Sequence, residues 1–380
     1  MAQKVILIGD DGANTVGVLR SLGEKGYQPD LIITHNSAKP ITIKKSKYYN
    51  QCRIVDKSAE LVLAELEHFA CPNEKVFIIP TSDFILKILS ENKDYLEEKF
   101  IFPTVSEKCV SLENVMSKTV MAEYAKQVGF SIPKMIKYSV TEESTNDDNL
   151  LYAFRDLYPL ILKADSIFIP GCDFFIVKNE EELKEKLQIC IGLTIIIQQY
   201  IDEAEEVAIQ GVSLRDKAQI FGVIHKIRTS LFALGTTSYA ELREVDDREL
   251  QKKSEDFATL IGLNGIYDLD VLIKEGKHYF IECNFRNGSN GYAYTKMGAN
   301  LPYIWLYGEK NGEFPVVNLH NVVFCNDVGD FAHVLHRKIN PFKWVWQYLT
   351  ADAHLVFNIK DMGPFWAEIN LGRIKKLFKK

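Results

Sequence analysis

Residues 265–291 read GIYDLDVLIKEGKHYFIECNFRNGSNG, and the rest of the chain is best interpreted outward from this stretch. Two short apolar runs, 267–273 and 278–283, are separated by a turn at Glu275 and Gly276. Strand-forming residues on both sides of a glycine turn are typical of a β-hairpin. The stretch therefore predicts two adjacent antiparallel strands.

The predicted hairpin carries acidic and amide side chains on one face. Side chains alternate along a strand, so Asp268 and Asp270 share one face of the first strand. Glu282 and Asn284 point the same way on the second strand, and Cys283 is expected on the opposite face as a structural residue. Asp270, Glu282 and Asn284 can then meet as three hard oxygen ligands, which suit Mg²⁺. An ordinary hairpin with acidic edges explains any one of these residues alone, but the ordered set favours a metal site.

A cation and a glycine-rich loop follow the hairpin directly. Arg286 precedes the run Asn-Gly-Ser-Asn-Gly at 287–291. Such a loop offers flexible backbone N–H groups, and the arginine supplies a fixed positive charge. Together they predict a place for an anion.

Composition excludes several classes of protein. The 380 residues permit two or three domains, and 47% hydrophobic content is enough for a full core. The net charge is −6 with dispersed basic residues, which indicates no nucleic-acid partner. Seven widely spaced cysteines without a CxxC pair argue against disulfides and zinc. No signal peptide and no apolar run of about 20 residues is present, so the expectation is a cytoplasmic protein without a membrane partner.

The first third of the sequence has the pattern of an open α/β sheet. An apolar strand at 4–8, a glycine turn, a helical pattern and a second strand at 31–35 predict a βαβ unit of the Rossmann kind. Its glycines do not form GxGxxG. The spacing from Gly12 to Gly17 fits a P-loop, but Val18 and Leu19 occupy the positions of the required Lys and Ser/Thr, so both nucleotide motifs are rejected.

Polar residues follow two strands of this predicted sheet, where ligands bind in open α/β folds. After the strand 76–80 come Thr81, Ser82 and Asp83. Capping of the next helix by Ser82 or Asp83 is an equally good explanation. The wider set of candidate substrate contacts is Asp10, Asp11, Asn14, Thr15, Thr81 and Ser82.

Two lysines stand out in the middle of the chain. Residues 111–128 are predicted as one helix with Lys118 in its interior, where a lone lysine is usually a surface residue. The apolar run 158–165 is predicted as a strand that holds Lys163 near its end. A turn containing Gly171, another strand and an acidic helix follow, and this order describes a small α+β lid.

An antiparallel series leads to the hairpin. It begins with the strand 194–201, which carries Gln198 and Gln199, and continues through the strand 218–230 with Arg228 near its end. An amphipathic helix at 247–261 comes next. In the last region Trp344, Trp346 and Trp366 are expected to seal a core or a domain contact.

The ordered set of motifs resembles the ATP-grasp superfamily, and within it the carboxylate–amine ligases of the D-aspartate ligase and carbamoyl-phosphate-synthase-like type. The resemblance covers residues 1–305 and rests most firmly on DLDVLIKEGKHYFIECNFRNGS, which is similar to the family's Asp, Glu-x-Asn and Arg pattern. SKTVMAEYAKQVGFSIPK, YPLILKAD and IIIQQYIDEAEE resemble the lysine-bearing helix, the second lysine strand and the adenine hinge.

The resemblance implies a fold of the α/β and α+β classes. A Rossmann-like pre-ATP-grasp domain would precede a small lid domain and a larger domain with a mixed or antiparallel sheet. The implied boundaries are 1–110 for the pre-ATP-grasp domain, 111–192 for the lid, 193–310 for the large subdomain with the Mg-ATP site, and 311–380 for a C-terminal region packing on it.

The resemblance also implies roles for individual residues. The ATP-binding set would be Lys118 and Lys163 on the phosphates, Gln198, Gln199, Tyr200 and Ile201 at adenine, and Glu205 on the ribose. The metal set would be Asp270, Glu282 and Asn284, holding one or two Mg²⁺, for which Mn²⁺ could substitute. Arg286 and Arg228 would steady the transferred phosphate, and Gly288 and Ser289 would offer N–H groups to the tetrahedral intermediate. The lid loop has one glycine, Gly171, where the family's loop is glycine-rich.

The implied activity is an ATP-dependent ligase that joins a small carboxylate, such as an amino acid, to an amine through an acyl phosphate. Two alternatives stay open: an enzyme that phosphorylates bicarbonate, and a non-catalytic ATP-binding protein. The sequence leaves the substrates undefined and leaves a homodimer open.

Overall fold

The computed structural model describes residues 3–35, 41–109, 111–164, 174–231 and 236–370. By their internal contacts the residues divide into two compact units. The first unit comprises Met1–Glu113, Glu206–Leu269 and Asn284–Lys380, and the second comprises Asn114–Glu205 and Asp270–Cys283. The lid loop around Gly171 lies outside the described residues.

The first unit begins with a parallel sheet. Its elements are β1 Val5–Asp10, α1 Ala13–Glu24, β2 Asp30–Thr34, β3 Cys52–Val55, α2 Ala59–Phe69, β4 Val76–Pro80, α3 Asp83–Glu91, α4 Lys93–Leu96 and β5 Phe100–Ile101. The strand order is β3-β2-β1-β4-β5, and every neighbouring pair is parallel. The predicted Rossmann-like opening is therefore confirmed.

The segment predicted as one helix over 111–128 is instead two helices, α5 Leu112–Val115 and α6 Lys118–Gln127. Ser117 separates them with an extended backbone, φ −63° and ψ 126°. Serine favours helix boundaries over helix interiors, so this break agrees with its chemistry. The prediction that Lys118 lies in a helix interior is wrong, because Lys118 is the first residue of α6.

The second unit contains a four-stranded sheet. Its remaining elements are β6 Met135–Ser139, α7 Asp148–Phe154, β7 Leu160–Ala164, β8 Phe174–Val177, α8 Glu180–Ile189 and β9 Thr194–Gln199. The strand order is β6-β9-β7-β8, with antiparallel neighbours. Apolar residues of α7 and α8 cover this sheet and form a core of their own.

A second sheet of seven strands contains the hairpin. Its strands and the remaining helices are β10 Glu205–Leu214, β11 Ala218–Thr229, β12 Thr237–Arg243, α9 Arg248–Leu260, β13 Asn264–Lys274, β14 Lys277–Asn284, α10 Gly291–Met297, α11 Leu301–Asn311, β15 Val322–Cys325, α12 Asp327–Leu335, α13 Pro341–Thr350, β16 Ala353–His354 and α14 Gly363–Asn370. The strand order is β14-β13-β10-β11-β12-β15-β16.

The predicted hairpin is confirmed as β13 and β14. Glu275 and Gly276 form its turn with φ of 52° and 72°. Positive φ at both central residues is what a two-residue hairpin turn requires. Burial alternates as predicted, since Leu269 and Val271 are buried while Asp268 and Asp270 are only half-buried.

The C-terminal region is built into the first unit. β15 pairs with β12, and β16 pairs with β15. The fully buried Arg20 of α1 donates to the Asp361 carboxylate at 3.1 Å, and Ser46 donates to the same carboxylate at 2.9 Å. This buried pair links α1 to the C-terminal region.

Apolar packing holds the first unit together. One core cluster combines residues of β1, α1, β4, β10, β11, α10 and α11, and the Phe77 and Trp305 rings meet edge to face at 5.4 Å. The indole of Trp305 donates to Asn264 at 3.1 Å. Trp346 and Trp366 were expected to seal a core or a domain contact; the core alternative is wrong, because 69% and 53% of these residues are exposed. Within the described ranges no helix is long and apolar enough to cross a membrane.

Candidate active site

Lys118 and Glu282 are brought together in the second unit. The Lys118 ammonium donates to the Glu282 carboxylate, and the side chains are 24% and 31% exposed. Backbone hydrogen bonds of Ser131 with His278 and Phe280 hold the outer part of the hairpin beside the segment that follows α6. A lysine at a helix N-terminus is disfavoured by the helix dipole, and the carboxylate offsets this cost. The lysine that the resemblance assigns to phosphate and the carboxylate that it assigns to Mg²⁺ are thus neighbours.

The metal candidates differ in their surroundings. Asp270 and Glu282 are half-buried, and Cys283 is buried on the opposite face of β14, as predicted. Asn284 is the last residue of β14, and its amide oxygen accepts from Arg286 at 3.3 Å. In the part of the chain that the structure describes, no three His, Cys, Asp or Glu side chains cluster as a metal site. An ion held by Asp270 and Glu282 would need ligands of another kind, such as an amide oxygen, water or phosphate.

Lys163 lies near the end of β7, as the sequence predicted. Its backbone is paired with Ile196 of β9 and Phe174 of β8, and its side chain is half-buried. The chain leaves the described residues shortly after it, at 165–173.

The predicted adenine residues follow one another along the end of β9. Gln198 is 3% exposed and is paired with Met135 of β6 and Ile161 of β7. Gln199 ends the strand, and the backbone N–H of Tyr200 donates to the Pro159 carbonyl at 3.0 Å. Ile201 is half-buried in the link that follows, and Glu205 is exposed at the start of β10.

In the first unit, Arg286 is held by Asp83. Two parallel hydrogen bonds join them, Nε to Oδ1 at 2.9 Å and Nη2 to Oδ2 at 2.8 Å. Asp83 is the first residue of α3, where the helix dipole stabilises its negative charge. The bidentate pair fixes the guanidinium plane.

A polar cluster lies beside this pair at the carboxyl ends of β1 and β4. Asn14 and Asn287 exchange hydrogen bonds, with Asn14 donating to the Asn287 carbonyl at 2.7 Å and Asn287 donating to the Asn14 amide oxygen at 2.8 Å. Asn14 also donates to the Thr81 carbonyl at 3.1 Å, and the hydroxyls of Thr15 and Thr81 are 2.7 Å apart. The structure therefore brings together three of the candidate substrate residues.

Asp10 and Asp11 are engaged differently. The Asp10 carboxylate accepts from Thr34 at 2.7 Å and pairs with Lys57 at 3.4 Å. The Asp11 carboxylate accepts the backbone N–H groups of Thr42 and Ile43 at 2.8 and 2.9 Å. Both side chains stabilise neighbouring chain segments.

Three buried polar atoms near this edge have no hydrogen-bond partner within the described ranges: Ser82 Oγ, Asn287 Oδ1 and Gln210 Nε2. Ser82 is the N-cap residue of α3, but its side chain makes no capping hydrogen bond. The structure therefore does not support helix capping as the explanation for Ser82. Buried polar groups in native proteins nearly always have a hydrogen-bond partner.

Sequence reasoning missed Gln210 and Tyr294, and it assigned Asn287 only to the loop predicted to hold an anion. The buried Tyr294 hydroxyl donates to the Gly222 carbonyl and accepts from the Gln210 N–H, both at 2.9 Å, and burial raises the pKa of its phenol. Asn287 follows the predicted Arg286 directly, and this adjacency was the one signal available. Gln210 and Tyr294 lie inside apolar patterns that predict only a core.

Gly288 makes a close backbone approach. A Cβ at this position would lie 2.1 Å from the Asp268 carboxylate and 2.4 Å from the Gln210 amide nitrogen. The Gly288 N–H donates to Gln210 Oε1 at 3.4 Å, whereas Ser289 is exposed. Of the two predicted N–H donors, Gly288 is already engaged with a protein acceptor.

Arg228 has a buried partner in the C-terminal region. It donates to Asp330 through Nε at 2.9 Å and Nη2 at 2.8 Å, and it stacks 4.3 Å from the centre of the Tyr239 ring. Asp330 also accepts from Ser238 at 2.8 Å and from the Trp344 indole at 3.0 Å. Arg228 therefore links β11 to α12.

Comparison with known proteins agrees with this fold. Residues 115–289 match the family described as the ATP-grasp domain. A solved N5-carboxyaminoimidazole ribonucleotide synthetase in complex with ADP is 14% identical with a TM-score of 0.65, over 89% of this chain and 87% of that one. Campylobacter jejuni biotin carboxylase is 18% identical with a TM-score of 0.62, over 84% and 74%. Bacillus licheniformis L-amino acid ligase is 15% identical with a TM-score of 0.59, over 80% and 74%.

These likenesses are at the level of the fold, which is a parallel Rossmann-like sheet followed by the antiparallel sheets of an ATP-grasp domain. Residues 115–289 match the ATP-grasp domain family, as the resemblance of the hairpin predicted.

Proposed function

We propose that this protein is an ATP-dependent carboxylate–amine ligase that works through an acyl phosphate. The observation that carries the proposal is the contact between Lys118 and Glu282. It joins a cation suited to phosphate with a carboxylate suited to Mg²⁺, on a family-matched segment at 115–289. Phosphoryl transfer asks a protein mainly for positioning and for neutralisation of charge, and both groups serve that purpose.

The residues that we propose for ATP lie in the second unit. Lys118 and Lys163 would bind phosphate oxygens, Gln198 to Ile201 would contact adenine, and Glu205 would accept from the ribose hydroxyls. Gln198 is buried, so its amide can make directed hydrogen bonds in a low dielectric.

We propose Asp270, Glu282 and Asn284 as the ligands of one or two Mg²⁺ ions, with Mn²⁺ able to substitute. The donor set fits, because it combines two carboxylates with an amide oxygen, and Glu282 already accepts a cationic group. When bound, the ion would neutralise charge on the β- and γ-phosphates.

The proposed reaction has two steps. First, a carboxylate oxygen of one substrate forms a bond to the γ-phosphorus, and the bond to ADP breaks with its electron pair leaving on ADP. Next, the amine nitrogen attacks the acyl carbon, phosphate leaves with its electron pair, and the nitrogen loses a proton to solvent. We assign Arg286, held by Asp83, to the acyl-phosphate oxygens. Arg228, Gly288 and Ser289 remain weaker candidates for charge stabilisation, since Arg228 and Gly288 already have protein partners.

Amino acids are the proposed substrate class. Ser82 Oγ, Asn287 Oδ1 and Gln210 Nε2 offer, between them, a hydroxyl, an acceptor and a donor, all buried. An amino acid carries both a carboxylate that accepts and an ammonium that donates, which are the types of group that complement them. We place the reaction in the cytoplasm, where ATP is supplied, and propose no nucleic-acid partner.

The test is ADP and phosphate release with Mg-ATP, screening L- and D-amino acids singly and in pairs, with mass spectrometry of the products. Release that needs two substrates and gives a product of their summed mass less water is expected. Carboxylate labelled with ¹⁸O should transfer one label to phosphate, which is the signature of an acyl phosphate. Absence of ATP binding would overturn the proposal.

The same assay separates the alternatives. ADP release that depends on bicarbonate and needs no amino acid would indicate a bicarbonate-phosphorylating enzyme. ATP binding without release in any combination would favour a non-catalytic binding protein.

A further inference from the structure

Helix α13 in the C-terminal region has an exposed apolar face. Phe342, Val345, Trp346 and Leu349 are 86%, 47%, 69% and 73% exposed. Their spacing of i, i+3, i+4 and i+7 places them on one side of the helix. None of the ten residues of the helix is buried. Soluble proteins rarely leave such a contiguous apolar stripe uncovered unless it binds something.

The other side of the helix is firmly attached. Trp344 packs at 5.1 Å from the Phe331 ring of α12, and its indole donates to the buried Asp330 at 3.0 Å. Tyr348 lies 4.6 Å from the His354 ring. The N-cap residue Asn340 accepts the N–H groups of the first turn. The exposed apolar stripe therefore lies on an ordered helix. It is on a different side of that helix from the aromatic residues that pack against the protein.

The charged residues between 331 and 351 are all positive, and the exposed Asp352 follows directly. Arg337, Lys338 and Lys343 are exposed on and beside the helix, and no aspartate or glutamate occurs between residues 331 and 351. The whole chain carries a net charge of −6, so this local positive charge is a departure from the rest of the sequence.

We propose that this α13 face adsorbs to the surface of an anionic lipid bilayer. Phe and Trp side chains favour the boundary between headgroups and acyl chains, and lysine and arginine beside them favour anionic headgroups. Ten residues are too few to span a bilayer, which agrees with the finding that no described helix could cross one. The composition of the whole chain predicted no membrane partner, and this local surface is the reason to revise that expectation.

A second copy of the chain is a poorer occupant. A two-fold dimer through this face would oppose each patch to its own copy. Such a dimer would bring Arg337, Lys338 and Lys343 of both copies to one interface, where the neighbouring exposed acidic residue is Asp352. An anionic surface removes this repulsion.

The proposal is independent of the proposed catalytic function, and it is tested by co-sedimentation of the full chain with vesicles. Vesicles of phosphatidylcholine alone and with phosphatidylglycerol are the two probes. Binding is expected only to the anionic vesicles and should weaken as salt rises from 0.1 to 1 M, because the Debye length falls from about 10 Å to about 3 Å.

Two sets of variants separate the apolar and charged contributions. F342S/W346S should lower the partition coefficient at least about tenfold by removing the aromatic anchors. K338Q/K343Q should lower it about 25-fold, from about fivefold per cation near an anionic surface. The matched control is Y152S/V316S, which removes two apolar residues that are 69% and 99% exposed elsewhere. All variants keep residues 371–380, and a thermal melt checks that each is folded.

Wild-type binding that the control retains and both α13 variants lose would support the proposal. Failure of the wild type to bind anionic vesicles would overturn it, as would equal binding by F342S/W346S. Light scattering that shows a wild-type dimer and an F342S/W346S monomer would also overturn it, because a second copy would then cover the face.

Discussion

Asp83 and Arg286 are 203 residues apart in the sequence and form a bidentate ion pair, with both side chains 19% exposed. Asp83 was predicted among the substrate contacts, and Arg286 was predicted to act on phosphate. This geometry indicates that the two residues have different roles. The Asp83 carboxylate fixes the plane of the Arg286 guanidinium, and Arg286 is the proposed phosphate contact. Such pairing leaves little freedom in the direction of the remaining N–H groups.

The first prediction concerns this pair. D83N should lower the turnover number about 10- to 100-fold, since under the proposed mechanism a loosened Arg286 guanidinium would no longer meet the acyl phosphate in the right place. The KM for ATP should change less than about twofold, because the proposed ATP contacts lie elsewhere in the chain. Steady-state ADP release with the substrate pair found in the screen measures both quantities.

D94N is the matched control for D83N. Asp94 is also an acidic residue in the first turn of a helix, but in α4. Both substitutions remove one charge at a helix N-terminus, so only an effect specific to Arg286 separates them. Equal turnover in D83N and D94N would mean that Asp83 does not position a catalytic group.

The hairpin could be predicted because its signals are local. Alternation of side chains, a two-residue turn at Glu275 and Gly276, and the Glu-x-Asn-x-Arg run all lie within 27 consecutive residues, 265–291. The βαβ opening was predictable for the same reason, since an apolar strand, a glycine turn and an amphipathic helix follow in order.

Contacts between distant segments could not be predicted. Arg20 lies within the helical pattern of α1, and nothing nearby indicates that it is fully buried against Asp361, 341 residues away. The sequence around Arg228 likewise gives no indication that Arg228 pairs with Asp330. The helix break before Lys118 was missed because the apolar pattern continues across Met116 and Ser117, the two residues that separate the helices.

The tryptophans of α13 illustrate a different limit of prediction from the sequence. Trp344 and Trp346 are two residues apart in one helix, so they point in different directions, one toward the protein and one toward solvent. The sequence analysis expected both to seal a core or a domain contact. Only the packing of Trp344 on Phe331 identifies which face of α13 is covered.

The second prediction concerns Glu282. E282Q should fold normally but lose turnover on the order of 100-fold, because it removes one charge from the proposed metal site without changing volume. It should also raise the Mg²⁺ concentration needed for half-maximal ADP release. A Mg²⁺ titration of wild type and variant measures this shift.

E180Q is the control for that experiment. Glu180 also pairs with a lysine in the second unit, Lys184 at 2.6 Å, but on the surface of α8. A surface pair of this kind contributes little to stability. Full activity of E282Q would contradict the assignment of Glu282 as a metal ligand. A loss of activity shared with E180Q would instead indicate a general effect of removing the carboxylate partner of a lysine.

The third prediction concerns the buried Asp330. Its carboxylate accepts from Arg228, Ser238 and the indole of Trp344, and its side chain is 1% exposed. D330N leaves Arg228 without a charged partner and should lower the free energy of unfolding by about 2–4 kcal/mol. Urea denaturation at pH 7 is the measurement.

D352N provides the comparison for D330N. The exposed Asp352 accepts one backbone N–H, from Val323 at 2.9 Å, in the same region of the sheet. Its loss should lower the free energy of unfolding by less than about 1 kcal/mol. If D330N were no less stable than D352N, the Arg228–Asp330 link would not be a structural anchor of the C-terminal region.

The last prediction is a pH dependence at Glu24, which accepts from Tyr292 at 2.5 Å and from Lys296 at 2.8 Å. Burial raises the pKa of Glu24, but the two hydrogen bonds outweigh it and bring the pKa below the ordinary value of 4.5. A depressed folded-state pKa stabilises the protein above the unfolded pKa, and this contribution disappears as pH falls through the folded pKa. Wild type should exceed E24Q by about 1–2 kcal/mol in unfolding free energy at pH 7. That difference should shrink below pH 4.5. A difference that stayed constant down to the acid transition would show that the interaction does not depend on the charge of Glu24.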